Sequence, residues 1–252
     1  MSNYFSFRGK VYMGTRDSNG NPEGLTHIGN VPELSLSFAV ETLEHKESMS
    51  GQDLTDVSIT TSKSGEISLT AEELIKETFA IALNGTLTEV ASGTVSTAET
   101  ISAAVPTTGK IYLLAHPDVS SVVVKDSADA TVADTKYTVN AKHGSISFSD
   151  VSGIAAGAVK VTYSYAAYKK VTMFTADEED YWLRLEGLNK VNNERVVVDL
   201  YRVRVNPTDG MAFINDELGS APIKGKVLAD TTKTAGGALG QFGRMFIITA
   251  PA

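Results

Sequence analysis

The sequence predicts a mainly β protein: a β-sandwich with one flanking α-helix, interrupted by a small inserted β-sandwich domain. Three observations predict it. Apolar and polar residues alternate in many short runs, the period of a strand with one buried face. A single stretch, Thr70 to Gly85, carries helical spacing instead. A compact group of short strand-like runs between Gly109 and Tyr165 is bounded by connectors rich in Thr, Ser and Ala, which divides the chain into 1–108, 109–165 and 166–252.

In order, Lys10 to Met13 reads as a short strand, and Asp17-Ser18-Asn19-Gly20-Asn21-Pro22 as dense turn chemistry. Leu34, Leu36, Phe38 and Val40 then alternate with Ser35, Ser37 and Ala39, and a second strand is expected over Val57 to Thr61. Between them, Glu41 to Asp56 reads as a polar loop far longer than a hairpin needs. Its acids Glu41, Glu44, Glu47, Asp53 and Asp56 stand against Lys46, with His45 among them and Leu43, Met49 and Leu54 as its few apolar anchors. A loop of this length mounted on two strands implies a contact, so these ten residues are the candidate inter-subunit or inter-ring site.

After strand signals at Ile67 and Leu69 the period changes. Thr70 and Glu73 have capping-box spacing, and Asn84-Gly85 supplies a stop, which predicts a helix over 71–84. Leu74, Ile75, Thr78, Phe79, Ala82 and Leu83 share one side of it, and Leu74, Ile75, Phe79 and Leu83 are expected to pack on the sheet. Thr86 to Ala104 reads as a loose strand or connector. The inserted group holds Lys110–His116, Ser121–Lys125, Tyr137–Asn140, Ser145–Phe148 and Val159–Tyr165. Tyr181–Glu186 and Arg195–Val205 form a strand pair joined through Asn192-Asn193; Ile223–Leu228 and Met245–Thr249 follow. Thr231 to Arg244, with four glycines, reads as a mobile loop or arm.

At 252 residues, 42% hydrophobic and 21% charged, the chain is long enough for one large or two small cores. With no cysteine, disulfides and thiolate chemistry are excluded. The first ten residues lack an apolar core of signal-peptide length, and no run approaches the roughly 20 apolar residues of a membrane helix, so a soluble protein without a membrane anchor is expected. The net charge is -8 and the longest basic block is Lys169-Lys170, which argues against binding nucleic acid through its phosphates.

Catalytic patterns are sparse. His27, His45, His116 and His143 show no metal-ligand spacing, and no nucleophile elbow, phosphate loop or dinucleotide fingerprint occurs. Asp177-Glu178-Glu179-Asp180 can be read as a cation site or an acid/base pair, or as a solvated turn. Trp182 can serve a sugar-stacking surface or, with Leu183 and Leu185, pack a strand into the core. No enzyme activity and no cofactor are expected.

The order Gly29-Asn30-Val31-Pro32-Glu33-Leu34 leading into a strand, the charged run Glu44 to Ser48, paired strands and then Leu74 to Leu83 resembles the major tail tube protein of long-tailed, siphovirus-type bacteriophages. In the inserted block, Val122 to Asp126, Tyr137 to Asn140, Gly144 to Ile146 and Val159 to Tyr165 resemble the extra β domain that many such proteins carry. The resemblance implies a barrel-forming tail tube fold in which sheets of neighbouring subunits join around a channel. It also implies a homo-oligomeric ring, commonly a hexamer, stacked into a tube in the virion and made in the host cytoplasm. Other tail proteins would meet the tube ends, and DNA would pass through without specific binding, which a net negative chain suits because it repels phosphate. The alternative is a β-sandwich adhesin or carbohydrate-binding module.

Overall fold

The computed structural model describes residues 4–49, 51–73, 75–208, 210–216 and 218–248. In chain order it contains β1 (Phe7–Thr15), β2 (Thr26–His27), β3 (Glu33–Lys46), β4 (Thr55–Ala71), α1 (Lys76–Ala82), β5 (Leu87–Val90), β6 (Gly93–Ser102), β7 (Ile111–Leu113) and β8 (Val119–Lys125). There follow β9 (Tyr137–Asn140), β10 (Ser145–Phe148), β11 (Val159–Tyr165), β12 (Tyr168–Val171), β13 (Asp180–Asn189), β14 (Arg195–Asn206), β15 (Ala221–Val227) and β16 (Gly243–Ile248). The fold is mainly β, with several antiparallel sheets and one α-helix among the described residues. Two compact units result, one from residues 1–87 and 171–252, the other from 88–170.

The first unit is one sheet in the order β2-β1-β13-β14-β15-β4-β3, with β16 also paired to β14. Side chains alternate between its faces. One face buries Val11, Met13, Ile67, Leu69, Leu183, Leu200, Val203, Ile223 and Val227 with Ile28 and Ala82. The other is polar over most of its area. Trp182 lies on that second face, not with Leu183: it packs on Tyr201 at 4.9 Å between ring centroids, with the Lys233 ammonium 5.7 Å from its own ring centre. Thr231 to Arg244 is accordingly no free loop. Asp230 N–H donates to Gln241 O (2.8 Å), Tyr201 Oη–H to Leu239 O (2.8 Å), and Gln241 Nε2 to Lys233 O (3.0 Å), so the segment is folded down as a cover.

The helix is shorter than its sequence signal. Residues Thr70 and Ala71 remain in β4, opposite Pro222 and Ala221, because ladder bonds and burial of Ala71 outweigh a capping box at an isolated helix start. Ile75 stands at the N-cap in extended conformation without a side-chain cap. Burial centres on Thr78 and Ala82, and the Thr78 hydroxyl donates to Ile28 O at 3.0 Å. Ile75, Phe79 and Leu83 are half-buried on its flanks, and Leu74 lies outside the described residues.

The second unit pairs two three-stranded sheets, β7-β10-β9 and β6-β11-β8, around Val119, Val124, Ile146, Phe148, Val159, Val161 and Tyr163. The sequence boundaries 109 and 165 move outward to 88 and 170. The reason is β6, which lies in the stretch read as a loose strand or connector and pairs β11 from Val159↔Ser102 to Tyr165↔Gly93, closing one sheet of the sandwich. A two-stranded ribbon of β5 and β12 completes the chain path.

Candidate assembly surface

The expected loop Glu41 to Asp56 is for the most part strand. β3 and β4 pair continuously from Glu33↔Thr70 to Lys46↔Thr55, and only residues 47–54 connect them. Glu41, Leu43, Glu44, His45 and Lys46 therefore sit on β3, Asp56 sits on β4, and Glu47, Met49, Asp53 and Leu54 belong to the connection. Its closure is made by Glu47 N–H donating to Leu54 O (2.8 Å) and Met49 N–H donating to Glu47 Oε2 (2.8 Å).

Support for this hairpin ends sharply. β15 pairs β4 only between Ala221↔Ala71 and Val227↔Gly65. Outward from Ser64, β3 and β4 pair with no other strand among the described residues, and every described side chain from Ala39 to Lys46 and from Thr55 to Ser64 is exposed. At about 3.4 Å per residue, ten residues of β4 make an arm on the order of 30 Å long. Its root is tight: a Cβ on Gly65 would lie 3.0 Å from Val227 Cβ and 3.2 Å from the Phe38 ring, which meets Phe242 edge to face.

The arm carries apolar residues on both faces. Val40 is 58% exposed beside Phe38 at 61%, while Leu43 at 63% stands opposite Ile59 at 57%. Thr61 is an extra residue in β4 at a β-bulge, its hydroxyl bonded to Glu41 O (3.1 Å), while Ser62 Oγ donates to Glu41 Oε2 (2.8 Å). Nearer the tip His45 Nδ1 meets Asp56 Oδ1 at 2.7 Å. These exposed polar pairs add little stability each. A lone two-stranded hairpin is at best marginal in water, and exposed apolar surface of this extent is a candidate interaction surface.

Beside the arm's root the apolar face of the sheet opens as a groove of about 390 Å³, lined by Leu34, Leu36, Phe38, Leu185, Val198 and Met245 among others. On its far side β16 is an edge strand with Met245, Phe246, Ile247 and Ile248 all about half exposed. The predicted Met245–Thr249 strand is found as Gly243–Ile248; Thr249 lies outside the described residues. β16 is fixed by charge as well as by its ladder: fully buried Asp199 accepts from Arg244 Nε (3.0 Å), Arg184 Nη1 (3.3 Å) and Trp182 Nε1 (3.4 Å).

Three residues of the acidic run, Glu178, Glu179 and Asp180, are engaged structurally. Asp180 accepts from Arg202 Nε (2.6 Å) and Arg204 Nε (2.9 Å), Glu178 from Arg204 Nη1 (2.7 Å), and Glu179 from Tyr181 Oη (3.1 Å). Among the described residues no three His, Asp or Glu are grouped to hold a metal ion. Among the described residues no helix is long and apolar enough to cross a membrane.

Two of the partly enclosed carboxylates set an acid limit on this unit. Burial raises Asp180, but the Arg204 and Arg202 guanidiniums outweigh it and hold the carboxyl below its ordinary 3.8. Burial likewise raises Asp230, and the Thr232 hydroxyl and N–H, Lys233 and Arg16 pull it below that value. With folded values depressed, the unfolded chain takes up protons first on acidification. The stabilisation is complete above about pH 5 and is lost as pH falls through the folded values, below about 3.8. Melting temperature followed from pH 7 to 2.5 is expected to fall steeply below about pH 4.5, and Asp230→Asn, less stable at neutral pH, is expected to show a shallower fall. Equal slopes for the two proteins would remove Asp230 from the effect.

Val40, Val57, Ile59 and the whole of β16 join the surface beyond the ten residues proposed from sequence. Past Val40 only Leu43 interrupts the polar run of residues 41–46, so no alternation in the sequence shows that β3 runs on. No curated protein matches the chain. A family model matches residues 4–246, and on that match the chain belongs to the family described as Protein of unknown function UCP028589.

Proposed function

We propose that this chain is a non-catalytic structural subunit that associates with copies of itself, edge to edge into rings and ring upon ring into a tube, as the major tail tube proteins of long-tailed phages do. The observation that carries the reading is the unsupported β3–β4 arm, exposed on both faces and rooted beside an open apolar groove and the free edge strand β16. Free strand edges and uncovered apolar surface are liabilities for a monomer, and a closed ring of identical subunits removes both. In this reading the ring is a hexamer, its place is the tail of a virion, other tail proteins meet the tube ends, and DNA passes through without sequence recognition.

Negative-stain microscopy and light scattering on the purified chain across a concentration series test it. Rings or hollow tubes are the expected result. A monodisperse monomer at every concentration, especially one that binds immobilised glycans, would replace this reading with that of a binding module.

A further inference from the structure

The β5–β12 ribbon has four residues in each strand, too short a two-stranded pair to hold its own shape in water. Its exposed ion pair, Lys169 Nζ to Glu89 Oε1 at 2.9 Å, adds little. The neighbouring β-sandwich of β6 to β11 offers a firmer anchor. His116 lies flat on Tyr165, ring centroids 3.7 Å apart and planes 6° from parallel, and its Nδ1 is 3.1 Å from the Tyr168 hydroxyl on the ribbon.

The platform under His116 is rigid. Leu114 N–H donates to Gly144 O (2.9 Å), Asp118 N–H to Lys142 O (3.2 Å) and Val119 N–H to Ala141 O (2.8 Å), so the β9–β10 turn staples the His116 backbone from behind. Gly144 has φ +63, and a Cβ there would lie 2.2 Å from His116 O, so the turn fits only as glycine. On the other side Ala166 N–H donates to Asp118 O (3.1 Å), which fixes the residue that leads from β11 toward the ribbon.

We infer that His116, Tyr165 and Tyr168 form an aromatic latch that makes the ribbon one mechanical body with the β-sandwich built from β6 to β11. The imidazole spans the two parts, stacked on a sandwich tyrosine and hydrogen-bonded to a ribbon tyrosine. Stacking supplies contact and the hydrogen bond supplies direction. The inference does not depend on self-association and applies to the single chain.

Amide hydrogen exchange on the full-length protein tests the latch. In wild type, amides of Leu87–Val90 and Tyr168–Val171 are expected to be protected. His116→Ala should speed their exchange at least tenfold while β8 and β11 stay as slow as before; Tyr168→Phe, which keeps the ring and loses the hydroxyl, should give a smaller increase. Should His116→Ala unfold the sandwich, Tyr168→Ala reads the same quantity, because Tyr168 is outside the sandwich core. Ribbon amides that are already unprotected in wild type, or that exchange at the wild-type rate in the variants, overturn the inference.

Discussion

Replacing Val40–Lys63 by Asn-Gly, which joins Ala39 to Ser64 across a two-residue hairpin turn, is expected to abolish self-association while leaving the fold intact. Ala39 and Ser64 are already opposite each other, the geometry that a type I′ turn closes. None of the described residues in the deleted stretch is buried in the subunit, so stability should change by no more than about 1 kcal/mol. The expectation is one cooperative melt close to wild type and no assembled particles by microscopy at matched concentration. Wild-type particles from the shortened chain would take the arm out of assembly, and a lost melting transition would show that the arm supports the monomer's own core. Leu43→Glu is the finer probe: it places a charge opposite Ile59 with no effect on the core, and should weaken assembly alone.

Asp199→Ala is expected to cost about 3 kcal/mol, the low end of the range for breaking a buried ion pair. Asp199 is wholly buried and serves two guanidiniums and the Trp182 indole N–H. The low end applies because Arg184 and Arg244 stay 32% and 33% exposed and can turn to water once the carboxylate is gone. The loss should fall unevenly. Arg244 is the second residue of β16, so amides of Gly243–Ile248 should lose protection before those of β1 and β13. An unchanged melting temperature, or uniform loss of protection across the sheet, would show that β16 is held by its ladder alone.

The strands that were legible in the sequence are those whose polarity alternates. Ile67 with Leu69 and Val159 to Tyr165 alternate because one side of each meets a core, and Leu34 to Val40 alternates as well although beyond Leu34 its apolar side is exposed. Glu41 to Lys46 and Thr55 to Asp56 are equally strand, but both faces meet solvent, so no alternation in polarity marks them and their charge reads as loop. Gly93 to Ser102 is hidden for a related reason: its Thr-, Ser- and Ala-rich residues carry little apolar signal, and it becomes a strand through its pairing with β11. Trp182 went to the opposite face from Leu183 because strand neighbours always do; which face faced which layer depended on the segment 229–242 folding over it.

The sequence by itself determined the mainly β class, a single helix ahead of Asn84, an inserted β unit, the absence of thiol chemistry and a net negative charge. Those features rest on local periodicity, turn residues and composition, which act within a few residues of chain. The tertiary structure alone decided where β15 stops on β4, and so where the sheet ends and the arm begins. It also decided which half of the helix is buried, which acids are taken by Arg202, Arg204 and Arg244, and where the second unit starts. Each of these depends on a partner far away in sequence, and the free energy of burial and pairing is assigned by that partner rather than by the residues' own neighbours.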